Sequence, residues 1–185
     1  MIEANTISRL PAHFDGAYLL AKLDSAGVRN HAGFTIDDDT GELVLRYRAE
    51  SYDAVQAVLA AYATEYTPIW RERILKEAAA LRWARQQTTT FNGHLLLCDL
   101  DTINLVDATR NSMIDAPDSP QTCLWKAGPT HWATFDADGL LQMGLAIRAH
   151  VQACFVREKE IQDAALAATT VDELAAIDLA VGWPE

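Results

Sequence analysis

Residues 136–168, DADGLLQMGLAIRAHVQACFVREKEIQDAALAA, form the longest uninterrupted helical pattern in the chain. Apolar residues recur there in alternating steps of three and four, and the steps are interrupted only at Glu158. A helix of about 33 residues would be about 50 Å long. Because a domain of this size cannot cover such a length alone, we predict that part of the helix packs against another subunit.

The apolar stripe of this helix, together with two further residues, is the candidate interface. Its residues are Leu140, Met143, Ile147, Val151, Cys154, Phe155 and Ile161 on the helix, and Trp183 near the end of the sequence. From this stripe we expect a homo-oligomer, with a trimer as one candidate state.

Cap and turn signals divide the first 67 residues into a helix, a hairpin and a second helix. Asp15 can cap the first helix, and Gly27 lies where a left-handed C-terminal stop is expected. Two β-rich runs then flank the turn-prone segment Asp37–Gly41. We therefore predict an extended arm over 1–14 and an α-β-β-α module over 15–67, with a helix at 15–26 and strands near 33–36 and 42–48.

Thr67 and Pro68 predict the start of a new helix, because proline costs nothing in a first turn. Beyond it, Asn92-Gly93 predicts a hairpin turn, and Asp101 or Thr102 can cap a helix that two prolines end. The predicted bounds are a connecting helix at 68–87, a loop at 116–121, strands at 122–127 and 131–135, a long helix at about 136–168 and a capped terminal helix from Thr170 to about Asp178.

These elements define an α+β fold of two small modules, each a short antiparallel sheet or hairpin with helices. A connecting helix joins the modules. The second module covers residues 88–185 and contains the long helix.

Composition limits the classes of function. The 185 residues include 15 Lys and Arg against 26 Asp and Glu, a net charge of −11, so binding to nucleic acid or to an anionic membrane is disfavoured. The first residues resemble neither a signal peptide nor a membrane anchor, so we expect no membrane insertion. Three scattered cysteines favour synthesis in a reducing cytoplasm.

From Trp70 to the end, the sequence resembles a domain of unknown function, number 4376, found in tail-region proteins of tailed phages and prophages. The resemblance is carried by Trp70, Glu72 and Arg73 in a helix, by Phe91-Asn92-Gly93-His94, by Asp99 with Asp101-Thr102, by Trp132, by Gln152–Phe155 and by Ala168–Leu174. It implies a component of a tail or fibre, or a factor in fibre assembly, whose partners are other tail or fibre proteins.

Two sets of residues have the types of side chain found in metal sites, and each also has an ordinary structural explanation. His94, Cys98, Cys123 and His131 could form a zinc site if the two hairpins were adjacent, although turn and core positions explain them more simply. The acidic run Asp37–Glu42 imitates a calcium loop but has Arg48 at the twelfth position. A solvated turn is the better interpretation.

Two further sets of side chains could act on carbohydrate. Asp99 and Asp101 could be paired carboxylates for glycoside cleavage, but the exit from the hairpin and helix capping account for both. The tryptophans at 70, 83, 125, 132 and 183 could stack on sugars, but burial in a core or interface is the more usual role. We therefore predict no catalytic residue, no metal and no cofactor.

Three functions remain from the sequence. The first is a non-enzymatic structural component of the virion tail that attaches a fibre or receptor-binding protein to the tail tip or baseplate. The second is a tail-fibre assembly chaperone that is absent from the mature virion. A third, weaker candidate is a carbohydrate-binding tail module.

Overall fold

Short strands and long helices share the chain, and the fold class is α+β, as the sequence predicts. The computed structural model describes residues 6–9, 15–28, 31–36, 43–118, 120–126 and 130–185. The strands of this part are β1 Thr6–Arg9, β2 His31–Ile36, β3 Leu43–Tyr47, β4 Thr88–Phe91, β5 His94–Leu97, β6 Thr122–Lys126 and β7 Trp132–Asp136. The helices are α1 Gly16–Ser25, α2 Tyr52–Arg85, α3 Leu100–Asp115, α4 Ala137–Ala167 and α5 Val171–Ala175.

The chain divides into two compact units whose boundaries differ from the predicted modules. The N-terminal unit contains Met1–Ile74 and Ala164–Asp178, and the C-terminal unit contains Leu75–Asp163 and Leu179–Glu185. Helices α2 and α4 therefore contribute residues to both units. The predicted module 88–185 does not anticipate that residues 164–178 belong with the first part of the chain.

The N-terminal unit contains a three-stranded antiparallel sheet in the order β1-β3-β2. The predicted hairpin is present as β2 and β3, while its turn at 37–42 lies outside the described residues. The prediction of an extended arm over 1–14 needs correction at Thr6–Arg9. These residues form a strand because β3 offers them a hydrogen-bonding edge.

The core of the N-terminal unit holds α1 against α2 and the sheet. Its buried side chains include Leu19, Leu23, Leu45, Tyr62 and Tyr66. The predicted cap is confirmed, since the Asp15 carboxylate accepts a hydrogen bond of 3.0 Å from the Tyr18 backbone N–H. The Asp15 backbone N–H in turn donates to the Tyr62 hydroxyl at 2.7 Å, which joins the start of α1 to α2. The predicted stop at Gly27 is also confirmed by its φ of +79°.

The predicted helix start at Pro68 is wrong, because α2 continues through this residue as one helix of 34 residues. Proline removes one backbone N–H donor from a helix and normally bends or ends it. Here Tyr66, Ile69 and Trp70 on both sides of Pro68 pack against the same core. We infer that burial of these large side chains outweighs the lost hydrogen bond.

Side-chain hydrogen bonds satisfy the backbone groups at the end of α4 and at the start of α5. The Arg71 guanidinium donates to the carbonyl oxygens of Ala165 and Ala168, each at 2.8 Å, and so satisfies acceptors at the C-terminal end of α4. The predicted capping box of Thr170 and Glu173 is confirmed, although the helix it begins ends at Ala175 rather than near residue 178.

The C-terminal unit contains two separate antiparallel hairpins, β4-β5 and β6-β7. Asn92 and Gly93 form the predicted tight turn with φ angles of 50° and 78°. The inner faces of both hairpins contribute to a core shared with α3 and α4, which includes Leu96, Val106 and Phe135. None of the described helices has the length and apolar character needed to cross a membrane.

Glu158 interrupts the apolar stripe of α4 because it has an ionic partner within the same unit. Its carboxylate lies 2.6 Å from Nε of Arg82 on α2, and the two side chains are only 24% and 18% exposed. The Arg82 guanidinium also lies over the ring of Phe155, 4.6 Å from the centroid. The residue that breaks the periodicity therefore joins α4 to α2.

We expect Glu158→Ala to lower the free energy of unfolding by about 1–3 kcal/mol, because Arg82 would keep its charge in a largely buried position. Glu160→Ala is the matched control. Glu160 pairs with Arg157 on the same helix, but its side chain is 59% exposed, so its loss should cost about 0.5 kcal/mol. Urea unfolding of both variants measures the difference, and equal losses would contradict the role given to Glu158.

Candidate functional site

The predicted interface stripe on α4 is buried within its own chain. Leu140, Met143, Ile147, Cys154 and Ile161 are each at most 1% exposed. The prediction that these side chains pack against another subunit therefore needs correction, because other parts of the same chain already cover them. The periodicity identified buried positions but not the surface that buries them.

The three remaining interface candidates differ from the buried stripe. Val151 and Trp183 are half-buried, whereas Phe155 is 46% exposed with the Arg82 guanidinium over its ring. The indole N–H of Trp183 donates to the Leu179 carbonyl at 2.8 Å. Of these side chains, Phe155 is the one with a large accessible surface.

The four residues considered for zinc do not form a metal site. The rings of His94 and His131 stack with centroids 4.8 Å apart, and burial raises the pKa of the Cys98 thiol to about 11. Within the described residues no group of three or more His, Cys, Asp or Glu side chains could hold a metal ion. The acidic run at 37–42, compared with a calcium loop, lies outside the described residues.

A buried cysteine and histidine on α4 form a pair that the sequence analysis missed. Cys154 Sγ lies 3.8 Å from Nε2 of His150, and this nitrogen lies 3.0 Å from the Arg85 carbonyl oxygen. Burial raises the pKa of the Cys154 thiol, and its side chain has no accessible surface. The pair therefore has the properties of core packing rather than of a nucleophile. Its four-residue spacing on a helix was the available signal.

Asp99 rather than Asp101 or Thr102 caps α3, which corrects the predicted cap. The Asp99 carboxylate accepts a hydrogen bond of 2.6 Å from the Thr102 backbone N–H. This hydrogen bond lowers the pKa of Asp99 below its usual value. Asp101 lies in the first turn of the same helix. Both carboxylates consequently lie at the N-terminal end of α3.

The five tryptophans do not share one surface. Trp70 packs against the core of the N-terminal unit, whereas the other four belong to the C-terminal unit. Trp83 is 61% exposed on α2, while Trp125 is partly buried against the core. Trp125 and Trp132 line the same cavity.

That cavity is an open apolar groove of about 630 Å³ in the C-terminal unit, which we call the hairpin groove. Its lining consists of Leu95, Leu96 and Leu97 of β5, Leu124, Trp125 and Lys126 of β6, Trp132 of β7, and Thr102 and Leu105 of α3. Leu95, Leu97, Leu105, Leu124 and Trp132 expose between 53% and 65% of their surface. A continuous apolar surface of this kind is characteristic of binding sites.

Strand alternation explains why these leucines are exposed. On β5, Leu96 points into the core, while Leu95 and Leu97 on either side point outward. On β6, Cys123 and Trp125 pack partly against the core, and Leu124 lies on the opposite, exposed face. The hairpins are therefore apolar on both faces, and the residues that the structure describes cover only one of them.

The structure and the groove define an α+β protein of two small units. Residues 69–181 match the family described as "Domain of unknown function (DUF4376)". The match covers more than half of the chain, and the chain belongs to this family. This family match confirms the resemblance of residues 70–185 to the domain of unknown function. No curated protein and no solved structure matches the chain.

We expect Asp99→Ala to lower the free energy of unfolding by about 1 kcal/mol at neutral pH, because α3 loses its cap. The pKa of Asp99 is lower in the folded protein than in the unfolded chain. The cap therefore stabilises the protein fully above the usual carboxyl pKa, and this stabilisation is lost as the pH falls through the pKa of Asp99 in the folded protein. Asp99→Asn keeps an acceptor and should retain the cap without this pH dependence. Asp101→Ala should have a smaller effect. Urea unfolding between pH 2 and 7, about the range of carboxyl titration, tests the assignment, and a larger loss from Asp101→Ala would refute it.

Proposed function

We propose that this protein is a non-enzymatic component of a tailed-phage tail that attaches a fibre or receptor-binding protein to the tail tip or baseplate. It would be synthesised in the host cytoplasm and retained in the virion tail. The observation that carries the proposal is the hairpin groove, an exposed apolar surface in the unit that contains most of the family match. The phage setting comes from the resemblance of residues 70–185 to tail-region proteins.

The groove supports protein binding because of its shape and lining. Seven of its nine lining residues are leucines or tryptophans, and Lys126 is the one charged residue among them. Side chains of this type dominate the centres of protein interfaces, where they exclude water and fill pockets. Covering them would remove apolar surface from water, which is the main favourable contribution in most protein association.

A fibre-assembly chaperone is the second candidate, and the same groove favours it. An open apolar surface can hold the exposed apolar end of a folding fibre as well as a permanent neighbour in the tail. The two functions differ in whether the complex persists in the finished particle.

Carbohydrate binding is the weaker candidate. Trp125 and Trp132 could stack on a sugar ring, but sugar hydroxyls also need several hydrogen-bond partners. Thr102 and Lys126 are the polar residues of the lining. The lining therefore favours an apolar protein segment.

Self-association of the protein stays a prediction, and it would need a surface other than the buried stripe. Phe155 and Val156 on α4 are 46% and 48% exposed and could take part. Sedimentation of the full chain measures the oligomeric state.

Mass spectrometry of gradient-purified phage particles tests the main proposal. We expect peptides of this protein, such as those within 49–71 and 111–126, in a fixed ratio to known tail proteins. Absence from particles despite strong expression in infected cells would exclude the structural role and support the chaperone.

Leu124→Asp should reduce capture of neighbouring tail or fibre proteins at least tenfold, because it places a charge in the apolar groove. Ile114→Asp is the matched control. Ile114 belongs to the same unit and is 52% exposed, but it does not line the groove. Both variants should unfold at nearly the wild-type temperature, since both side chains are exposed. Equal capture by the two variants would show that the groove is not the binding surface.

A further inference from the structure

The two strands on either side of the hairpin groove each have an open edge. Among the described strands, β5 pairs with β4 alone and β6 pairs with β7 alone, in two separate two-stranded sheets. Within the described residues no backbone hydrogen bond joins β5 to β6. Each strand therefore offers backbone donors and acceptors on the side away from its partner.

The register of the first hairpin identifies the open backbone groups of β5. The two-residue turn makes Phe91 and His94 the closing bonded pair, and the Cys98 backbone N–H donates to the Gln87 carbonyl at 2.9 Å. Bonded pairs alternate along an antiparallel ladder, so His94, Leu96 and Cys98 face β4. The N–H and C=O groups of Leu95 and Leu97 consequently point to the opposite edge.

The lining of the groove indicates that these edges face it. Successive side chains of a strand point to opposite faces of a sheet. A cavity on one face would touch every second residue, yet the groove touches three successive residues of β5 and three successive residues of β6. The groove therefore meets both faces of each strand, which places it beside the strand edges.

We propose that the hairpin groove accepts one extended strand of the partner protein, which pairs through its backbone with both β5 and β6. The result is a five-stranded sheet in the order β4-β5-partner-β6-β7. This inference rests on the proposed function, because the partner strand is sought in the neighbouring tail and fibre proteins. Strand addition is an established mode of peptide recognition, in which backbone pairing gives affinity and side-chain pockets give specificity.

The lining also defines the chemistry of the inserted strand. Its length should be four or five residues, to match the four residues of β5 and the five of β6. One set of alternate side chains should be apolar, because it would lie beside Leu95, Leu97 and Leu124 on the exposed face. An acidic residue at one end would pair with Lys126, the charged residue of the groove.

Hydrogen exchange on the ¹⁵N-labelled full chain tests the pairing. The probe is the tightest binder from overlapping twelve-residue peptides that tile the neighbouring tail and fibre proteins. At saturation, the amide protons of Leu95 and Leu97 should exchange at least tenfold more slowly, because they gain hydrogen bonds. The Leu96 amide already bonds to β4 and the Cys98 amide to the Gln87 carbonyl, so both should change little. Binding without protection of Leu95 and Leu97 would overturn strand addition.

Backbone methylation of the peptide tests whether both edges take part. Alternate amides of an inserted strand face opposite neighbours, so one set bonds to β5 and the other to β6. N-methylation within either set should weaken binding at least tenfold. An effect from only one set would mean pairing with a single edge and would overturn the five-stranded sheet. No effect from either set would overturn backbone pairing altogether.

Two further outcomes separate this inference from the proposed function. If no peptide binds while the intact neighbour is still captured in a Leu124-dependent way, strand insertion fails and the protein-binding role stands. If neither binds, both fail. A dimer in sedimentation, with Leu95 and Leu97 protected before any peptide is added, would mean that a second copy fills the groove, which also overturns the proposal.

Discussion

The C-terminal unit depends on the packing of Leu96 and Phe135 against helices α3 and α4. A two-stranded hairpin is at best marginally stable in water, because it has too little apolar surface to bury alone. Each hairpin of this unit contributes one such buried side chain to a core shared with Val106 and Leu140. Strand alternation then forces the neighbouring leucines outward. The open groove is thus a direct consequence of how the hairpins are stabilised.

The N-terminal unit follows the same principle, since tertiary packing outweighs a local signal. Pro68 would end many helices, but α2 continues because Tyr62, Tyr66 and Trp70 all reach one core. Burial raises the pKa of Tyr62 to about 12, while its hydroxyl accepts the Asp15 backbone N–H. The proline therefore lies between two groups of anchoring residues, and a helix held on both sides has no freedom to break.

The sequence predicted those features that depend on a few adjacent residues. The atoms that form a turn or a cap lie within a few residues, as in the Asn92-Gly93 turn, the Asp15 cap and the capping box at Thr170. The uninterrupted helical pattern likewise predicted the bounds of α4 to within one residue. The surface that covers a buried helix face could not be predicted, because periodicity identifies the buried positions but not what packs against them. The pairing of Glu158 with Arg82 and the hairpin groove join residues far apart in sequence, and no local signal connects them. The return of residues 164–178 to the N-terminal unit was hidden for the same reason.

Exposed leucines beside open strand edges would normally promote aggregation, so the chain must limit indiscriminate pairing. Strands of four and five residues offer few hydrogen bonds, and Lys126 adds a charge where β6 ends. The net charge of −11 makes separate copies repel one another at long range. A long flat edge on a neutral protein would attract any exposed strand. Short edges on an acidic protein instead favour a strand that also matches the leucine pattern and places an acidic residue beside Lys126. The features that protect the free protein from aggregation therefore also make its groove selective.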